Sequence, residues 1–182
     1  MLARGASMAE KAATNPFWDY SLTVYQGRVA TLCLELQDDC GIDINLLLYA
    51  AWLAHRGRPL TADHLAAQEA AVSHWRARAV QPLRALRRNL RDFAPAAALR
   101  EKLAELELSA ERTEQDILYA GSVEAVAPGA RQGDAGVSRF RTQLALVAAA
   151  GGAEKTLWEP RVDALVSLLA CPDPGVAPRS SR

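Results

Sequence analysis

The densest set of oxygen-bearing side chains lies at Glu35, Gln37, Asp38, Asp39, Asp43 and Asn45. Carboxylate and amide oxygens at this density could converge on a divalent cation, which prefers such ligands, or on a small polar molecule. The same residue types also serve helix ends, where Asp and Asn side chains hydrogen-bond free backbone N–H groups. The run Asp38-Asp39-x-x-x-Asp43 is one residue longer than the D-D-x-x-D arrangement that holds diphosphate-bound Mg²⁺. Gly41 interrupts it and no second aspartate cluster faces it in the sequence, so that chemistry is not expected.

A second set is basic. Arg76, Arg84, Arg87, Arg88 and Arg91 fall on one face of a helix at 100° per residue. Like charges at these spacings repel unless something negative lies opposite, and Glu107, Glu111 and Glu114 follow at spacings that could supply it. Intramolecular pairing is the expectation; an exposed arginine face for RNA, DNA or an acidic protein is the alternative. No aromatic residue interleaves the arginines, so stacking on single strands is not suggested. Phe17 and Trp18 open a short helix and either lid the core or anchor a partner. His55, His64 and His74 form no i, i+4 pair, and Cys33 and Cys40 read as core thiols, so no metal site is expected. Nucleotide-binding glycine loops, the nucleophile elbow and the zincin motif are all absent, and no catalytic residue is assigned.

The elements that would position these residues are all helical. Asn15-Pro16 is an N-cap followed by proline at the first helical position, giving a helix over 16–25. A second runs over 28–40 to Gly41, and Asp43 caps a third over 44–56. The third is apolar in every direction from Leu46 to Ala54 and should be the buried central post. Gln37 sits at the edge of the second helix's apolar face, so it should be partly buried and brace the turn by bonding free helix-end backbone groups, with Asp43 and Asn45 serving the next helix start.

A long helix over 61–92 carries Val72, Trp75, Ala79, Leu83, Leu86 and Leu90 on one stripe, with Pro82 predicting a kink near Arg78. Its partner over 96–120 repeats Leu99, Leu103, Leu106, Ala110, Thr113 and Ile117 at heptad spacing, and the two should pair as an antiparallel hairpin across that seam. The expected organisation is a flexible 1–14, a helical core domain over 15–120, a linker or mobile loop over 121–137, weak C-terminal helices over 138–170 and a disordered tail over 171–182.

Lys+Arg and Asp+Glu balance at 21 each in 182 residues, which removes any bulk pull toward nucleic acid or acidic membranes. Three cysteines without a C-x-x-C give no disulfide framework. The longest apolar run, Leu46 to Ala54, is too short to span a bilayer, and the first residues hold no stretch resembling a signal peptide, so a cytoplasmic location is expected.

Phe17, Trp18, Ser21, Leu22 and Tyr25, followed by Cys33, Leu34, Leu36, Gln37, Asp38, Gly41, Asp43, Asn45, Leu46–Leu48 and Trp52, resemble the pattern F-W-x-x-S-L-x-x-Y … C-L-x-L-Q-D-x-x-G-x-D-x-N-L-L-L of a family of short proteobacterial proteins known only as a domain of unknown function. The likeness is specific over 15–57 and extends to about 120 through Trp75, Pro82, Leu83, Arg84 and Arg88. It implies a small bacterial protein with no established activity or cofactor.

Three function classes follow. A cytosolic protein-interaction or adaptor module with an unidentified protein partner leads, with Phe17, Trp18, Arg84, Arg87, Arg88 and Arg91 as candidate interaction residues. A binder of a small ligand or divalent cation at the hinge of Gln37, Asp38, Asp39, Asp43 and Asn45 is the alternative, alongside anion or nucleic-acid binding through the Arg84–Arg91 face. An enzyme of unfamiliar type is the least favoured. No cofactor and no membrane span are expected.

Overall fold

Three side chains cap the helices that open the chain. Asn15 Oδ1 accepts from the N–H of Phe17 at 2.9 Å and of Trp18 at 3.1 Å, starting α1 (Pro16–Val24). Asp43 Oδ1 accepts from Leu46 N–H at 2.9 Å and starts α3 (Ile44–His55); Thr61 Oγ1 accepts from His64 N–H at 3.2 Å and starts α4 (Ala62–Trp75). Between them α2 (Gly27–Cys40) ends at Gly41, whose φ of 67° lets its N–H reach Gln37 O while Ile42 N–H reaches Leu36 O. Those two bonds satisfy the Leu36 and Gln37 carbonyls in the last turn of α2 without any side chain.

The computed structural model describes residues 15–125 and 134–170, so expectations for 1–14, for the middle of the 121–137 linker and for the tail lie outside the described residues. Among the described residues there is no strand, and the all-α reading holds. No described helix is long and apolar enough to cross a membrane.

Every residue of α3 from Asn45 to Ala54 is buried, as an all-round apolar helix requires. Phe17 of α1 is fully buried against Tyr49 and Trp52, with ring centroids 5.5 Å away in each case. The expectation that Phe17 lids the core therefore holds, while Trp18 is only partly buried, under the guanidinium of Arg112.

The long helix expected over 61–92 runs unbroken from Ala62 to Asn89 but is not α-helical throughout, and a wide turn spans the Arg78 position where a kink was expected. After α4 comes a π-helical turn, Arg76–Val80, then α5 (Gln81–Asn89). Pro82 has no N–H for the carbonyl four residues back and crowds it. Gln81 N–H instead reaches Arg76 O, five residues back, and the chain absorbs the defect as one wide turn. The inserted residue rotates everything downstream relative to α4. Val80 is consequently buried, whereas Leu86 of the expected stripe is 47% exposed.

A short 3₁₀ turn, Ala94–Ala96, leads into α6 (Ala97–Ala125), which continues past Gly121, where a linker was expected. Gly121 allows a close approach: a Cβ there would lie 2.5 Å from the buried Gln68 amide, which would have to shift. The C-terminal helices are also firmer than expected. α7 (Asp134–Ala150) packs on α3, and α8 (Lys155–Ala170) packs on α7 and α2. They add Phe140, Leu144, Val147, Trp158, Val162 and Leu165 to the main core. Arg161 of α8 reaches Asp39 at 2.6 Å and Glu35 at 3.2 Å on α2, fastening that end by ion pairs as well.

Candidate functional site

The turn between α2 and α3 and the π turn after α4 face one another, and this brings the two polar sets of the sequence into a single network. Arg76, the first residue of the π turn, stands at its centre. Its Nε lies 2.7 Å from Asp43 Oδ2 and 3.0 Å from Glu114 Oε1, and its Nη1 lies 2.8 Å from Glu69 Oε1. Three carboxylates around one guanidinium leave excess negative charge in a mostly buried place. Burial, reinforced by the neighbouring Asp43, pushes the Glu114 carboxyl up to about 7. Burial also raises Asp43, against the opposing pull of Arg76 and the Leu46 N–H. Burial disfavours the Arg76 charge too, but its carboxylate partners more than offset this and the guanidinium stays charged.

Two turns further along, Arg84 bonds Glu107 Oε1 at 2.9 Å, Glu111 Oε1 at 2.6 Å and Gln37 Oε1 at 2.7 Å. Arg87 shares Glu107, and Arg88 reaches Asp38 at 2.8 Å. Arg100 donates to Arg91 O at 2.8 Å. Ascending positions on α6 thus meet descending positions on α4–α5, from Arg91 beside Arg100 back to Arg76 beside Glu114. Arg76, Arg84 and Arg87 make the pairing expected with Glu107, Glu111 and Glu114, whereas Arg88 pairs with Asp38 of α2 instead. Burial opposes ionisation of Glu107, but bonds from Arg87 and Arg84 outweigh it and hold the carboxyl below its ordinary value.

Several hinge residues take roles other than those expected. Gln37 accepts from Arg84 rather than bonding helix-end backbone groups, because the Gly41 motif has already satisfied them. Asn45 does not serve the N-terminus of α3. It is buried, donates to Glu114 Oε2 at 2.9 Å and accepts from Gln115 Nε2 at 2.9 Å. Asp38, Asp39 and Asp43 point to three different arginines, Arg88, Arg161 and Arg76, instead of converging. Among the described residues no group of His, Cys, Asp or Glu is arranged to hold a metal ion.

The contact face of α6 was misread. Leu103 and Ala110 are buried as expected, but Leu99 and Leu106 are 50% and 54% exposed, and the buried positions beside them are Glu107, Glu114, Gln115 and Leu118. The inward arc is turned by roughly 80° from the apolar seam, at 100° per residue. Glu114 was expected as an arginine partner but not as a fully buried residue, and Gln115 was missed as a buried hydrogen-bonding one. The available signal was five arginines on the facing helix, which demand carboxylates across the interface rather than leucines. Cys33 and Cys40 are buried free thiols, and burial lifts the Cys33 thiol to about 12.

Two open clefts flank Arg84, each of about 300 Å³: one on the Asp38, Asp43 and Arg76 side, the other on the Tyr25, Leu34 and Glu107 side. A smaller one, of about 100 Å³, lies between α1, α3 and α6. No curated protein and no solved structure matches the chain. A family profile does match, over residues 16–118, from the first residue of α1 to the buried Leu118 of α6. These residues contain the hinge, the arginine face and the partner carboxylates, and by this match the chain belongs to the family described as protein of unknown function, DUF2390.

Proposed function

We propose that the chain is a protein-interaction module whose docking face is the outer flank of α5 and α6. One observation carries this reading: leucines at spacing suited to a helix–helix seam lie on the outside of the pair. Leu86, Leu99 and Leu106 are each about half exposed, and Phe93 at the turn between the helices is 59% exposed. On α5 the flank carrying Arg84 and Arg88 faces α2 and α6, so Leu86 lies on the opposite flank. On α6 the flank carrying Glu111 and Gln115 faces inward, so Leu99 and Leu106 also lie outward. An amphipathic partner helix laid along this stripe would bury its own leucines against them. The arginine face supports the nucleic-acid alternative poorly, since Arg76, Arg84, Arg87 and Arg88 are bonded to carboxylates of the same chain. The divided aims of Asp38, Asp39 and Asp43 likewise favour a bracing role over cation binding.

The test compares the wild-type chain with the double variant Leu99→Glu/Leu106→Glu, after melting shows that both fold. Size-exclusion chromatography with light scattering reads self-association, and affinity capture from the source cell reads a stoichiometric second protein. The expected result is a complex formed by wild type and absent from the variant. A monomeric wild type that captures the same proteins as the variant overturns the reading.

A further inference from the structure

Two of the open clefts run together, and their lining changes from apolar to basic along the way. The small cleft between α1, α3 and α6 shares Tyr25, Ile44, Leu108 and Glu111 with the larger one on the Leu34 and Glu107 side of Arg84, so the two form one groove. Trp18, Leu22 and Leu48 wall its first stretch, and Leu34 and Ala104 continue the apolar wall into the second. Leu22, Leu34 and Leu108 are each about half exposed, so their side chains are open to anything lying along the groove. The second stretch is also lined by Arg84, Arg87 and Arg88. Leu108 lies roughly 200° round α6 from Leu106, at 100° per residue, which puts the groove on the other flank from the docking face and makes the two independent.

The arginine end holds more donors than pairing within the chain consumes. Glu107 takes the Nε and Nη2 edge of Arg87, and Asp38 takes only Nη2 of Arg88. Among the described residues nothing meets Arg87 Nη1, or Nε and Nη1 of Arg88. Both side chains are accessible, at 36% and 41% exposed. Within this stretch three guanidiniums stand against two carboxylates, Glu107 and Glu111, because the Asp38 partner of Arg88 lines the cleft on the other side of Arg84. Guanidinium forks with free N–H groups suit a carboxylate. An apolar wall that ends at such forks matches an amphiphile, its hydrocarbon along the leucines and its anion against the arginines.

A closed cavity of about 150 Å³ accepts the six carbons of benzene. The larger stretch alone measures about 300 Å³, and the smaller adds to it. We propose that the groove binds a straight-chain acyl carboxylate of about eight carbons, its tail along Leu34, Leu108 and Leu22 and its head on the free N–H groups of Arg87 and Arg88. The groove is open, so the tail keeps one side in water and each CH₂ contributes about half of what full burial would give.

Octanoate at pH 7 is the probe, with butanoate, 1-octanol and octylammonium as controls, and the readout is the indole N–H resonance of Trp18 in a ¹H–¹⁵N NMR titration. The expected result is saturable octanoate binding with Kd on the order of 1 mM or tighter. Butanoate should bind roughly 10- to 20-fold more weakly, about twofold for each half-buried CH₂ removed. Octanol should bind about 3- to 10-fold more weakly than octanoate, for want of the charged acceptor, and octylammonium weakest of the eight-carbon compounds. Arg88→Gln should bring octanoate down to octanol and leave octanol unchanged, whereas Leu108→Gln should weaken both together. Both positions are half-exposed, so the melting temperature should stay nearly constant. Leu34→Gln repeats the tail test should Leu108→Gln fail to fold. The proposal is overturned by the absence of a saturable octanoate shift, by butanoate or octylammonium binding as well as octanoate, or by full octanoate affinity in Arg88→Gln or in the folded tail variant. A wild-type dimer that Leu108→Gln dissociates, seen by light scattering, would make a second copy the occupant and overturn it equally.

Discussion

α3 and α6 both contribute to the centre of the molecule, and they are built on opposite plans. α3 buries every residue from Asn45 to Ala54, nearly all of them apolar. α6 turns Glu107, Glu114 and Gln115 inward and leaves Leu99, Leu106 and Leu108 in solvent. The first plan rests on the hydrophobic effect, which has no direction and no dependence on protonation. The second rests on charge-assisted hydrogen bonds, which hold only if each carboxylate keeps its arginine and each proton stays where burial puts it. Side by side they separate what apolar burial does from what a buried charged network does.

The sharpest break comes on the apolar side. Leu47 is 1% exposed on a helix with no solvated direction, so Leu47→Asp should unfold the chain or cost more than about 4 kcal/mol. A far-ultraviolet circular dichroism melt measures it. A loss below about 1 kcal/mol would mean that α3 is not enclosed.

The next effect belongs to the network. Arg76→Met keeps bulk but leaves Asp43, Glu69 and Glu114 facing one another. Removing one partner of a fully buried pair costs about 3–5 kcal/mol, and the slight exposure of Arg76 lowers this to about 2–3 kcal/mol at pH 8. At pH 5 the loss should shrink, because Glu114 and Asp43 can then take up protons. Urea unfolding at both pH values checks it; an equal loss at each would show that the carboxylates do not depend on Arg76 for charge compensation.

How legible each plan was follows from the same contrast. Helix ends in the first 61 residues could be read from Asn15-Pro16, Gly41, Asp43 and Gly57 because capping is local: the residue that signals the end also makes the bond. α3 was legible because an apolar sequence cannot face water in any register. α6 was misread because hydrophobic periodicity finds the buried face only when that face is apolar, and here the arginines of the facing helix had already reserved it for glutamates. The rotation at Arg76–Val80 was half legible: Pro82 marks where the helix must fail, but not whether it bends or takes an extra residue. Asn45 and Gln115 lie 70 positions apart, and nothing local to either discloses that they meet.

A smaller effect sharpens the charged side. Glu114 ionises near 7 when folded against an ordinary value of 4.5. Between those values the folded state holds a proton that the unfolded state has released, so stability is full below 4.5 and falls as pH rises toward 7. The slope is about 1.4 kcal/mol per pH unit and flattens beyond. Glu114→Gln should remove it. The residual slope from Asp43 has the same sign, while His55 and His64, lowered by burial, act oppositely as pH falls below their ordinary value. The two histidines are common to both proteins and cancel in the comparison, whereas Asp43 loses a negative neighbour in the variant, which lessens its own slope and adds to the difference. Urea midpoints at pH 5, 6, 7 and 8 should converge at low pH and separate at high pH, with the variant the more stable at pH 8. Parallel curves would show that Glu114 is ionised throughout.

The smallest effect tests the rotation of α6 directly, because it compares two leucines less than one turn apart on the same helix. Leu103 is 5% exposed and lies between α6 and its neighbours, whereas Leu106, at the position expected to seal the seam, is 54% exposed. Truncating a buried leucine loses its transfer free energy and leaves a cavity, so Leu103→Ala should cost about 2–4 kcal/mol. Leu106→Ala removes atoms that already face water and should change stability by less than about 0.5 kcal/mol. Alanine's helix propensity, slightly above leucine's, leaves the sign of that small change open to either side of zero without altering its size. Paired melts of the two variants give the answer as a ratio, which is insensitive to the conditions chosen. A cost at Leu106 equal to that at Leu103 would return α6 to its apolar seam, expose Glu107 and remove the half-exposed leucine stripe on which the docking face depends.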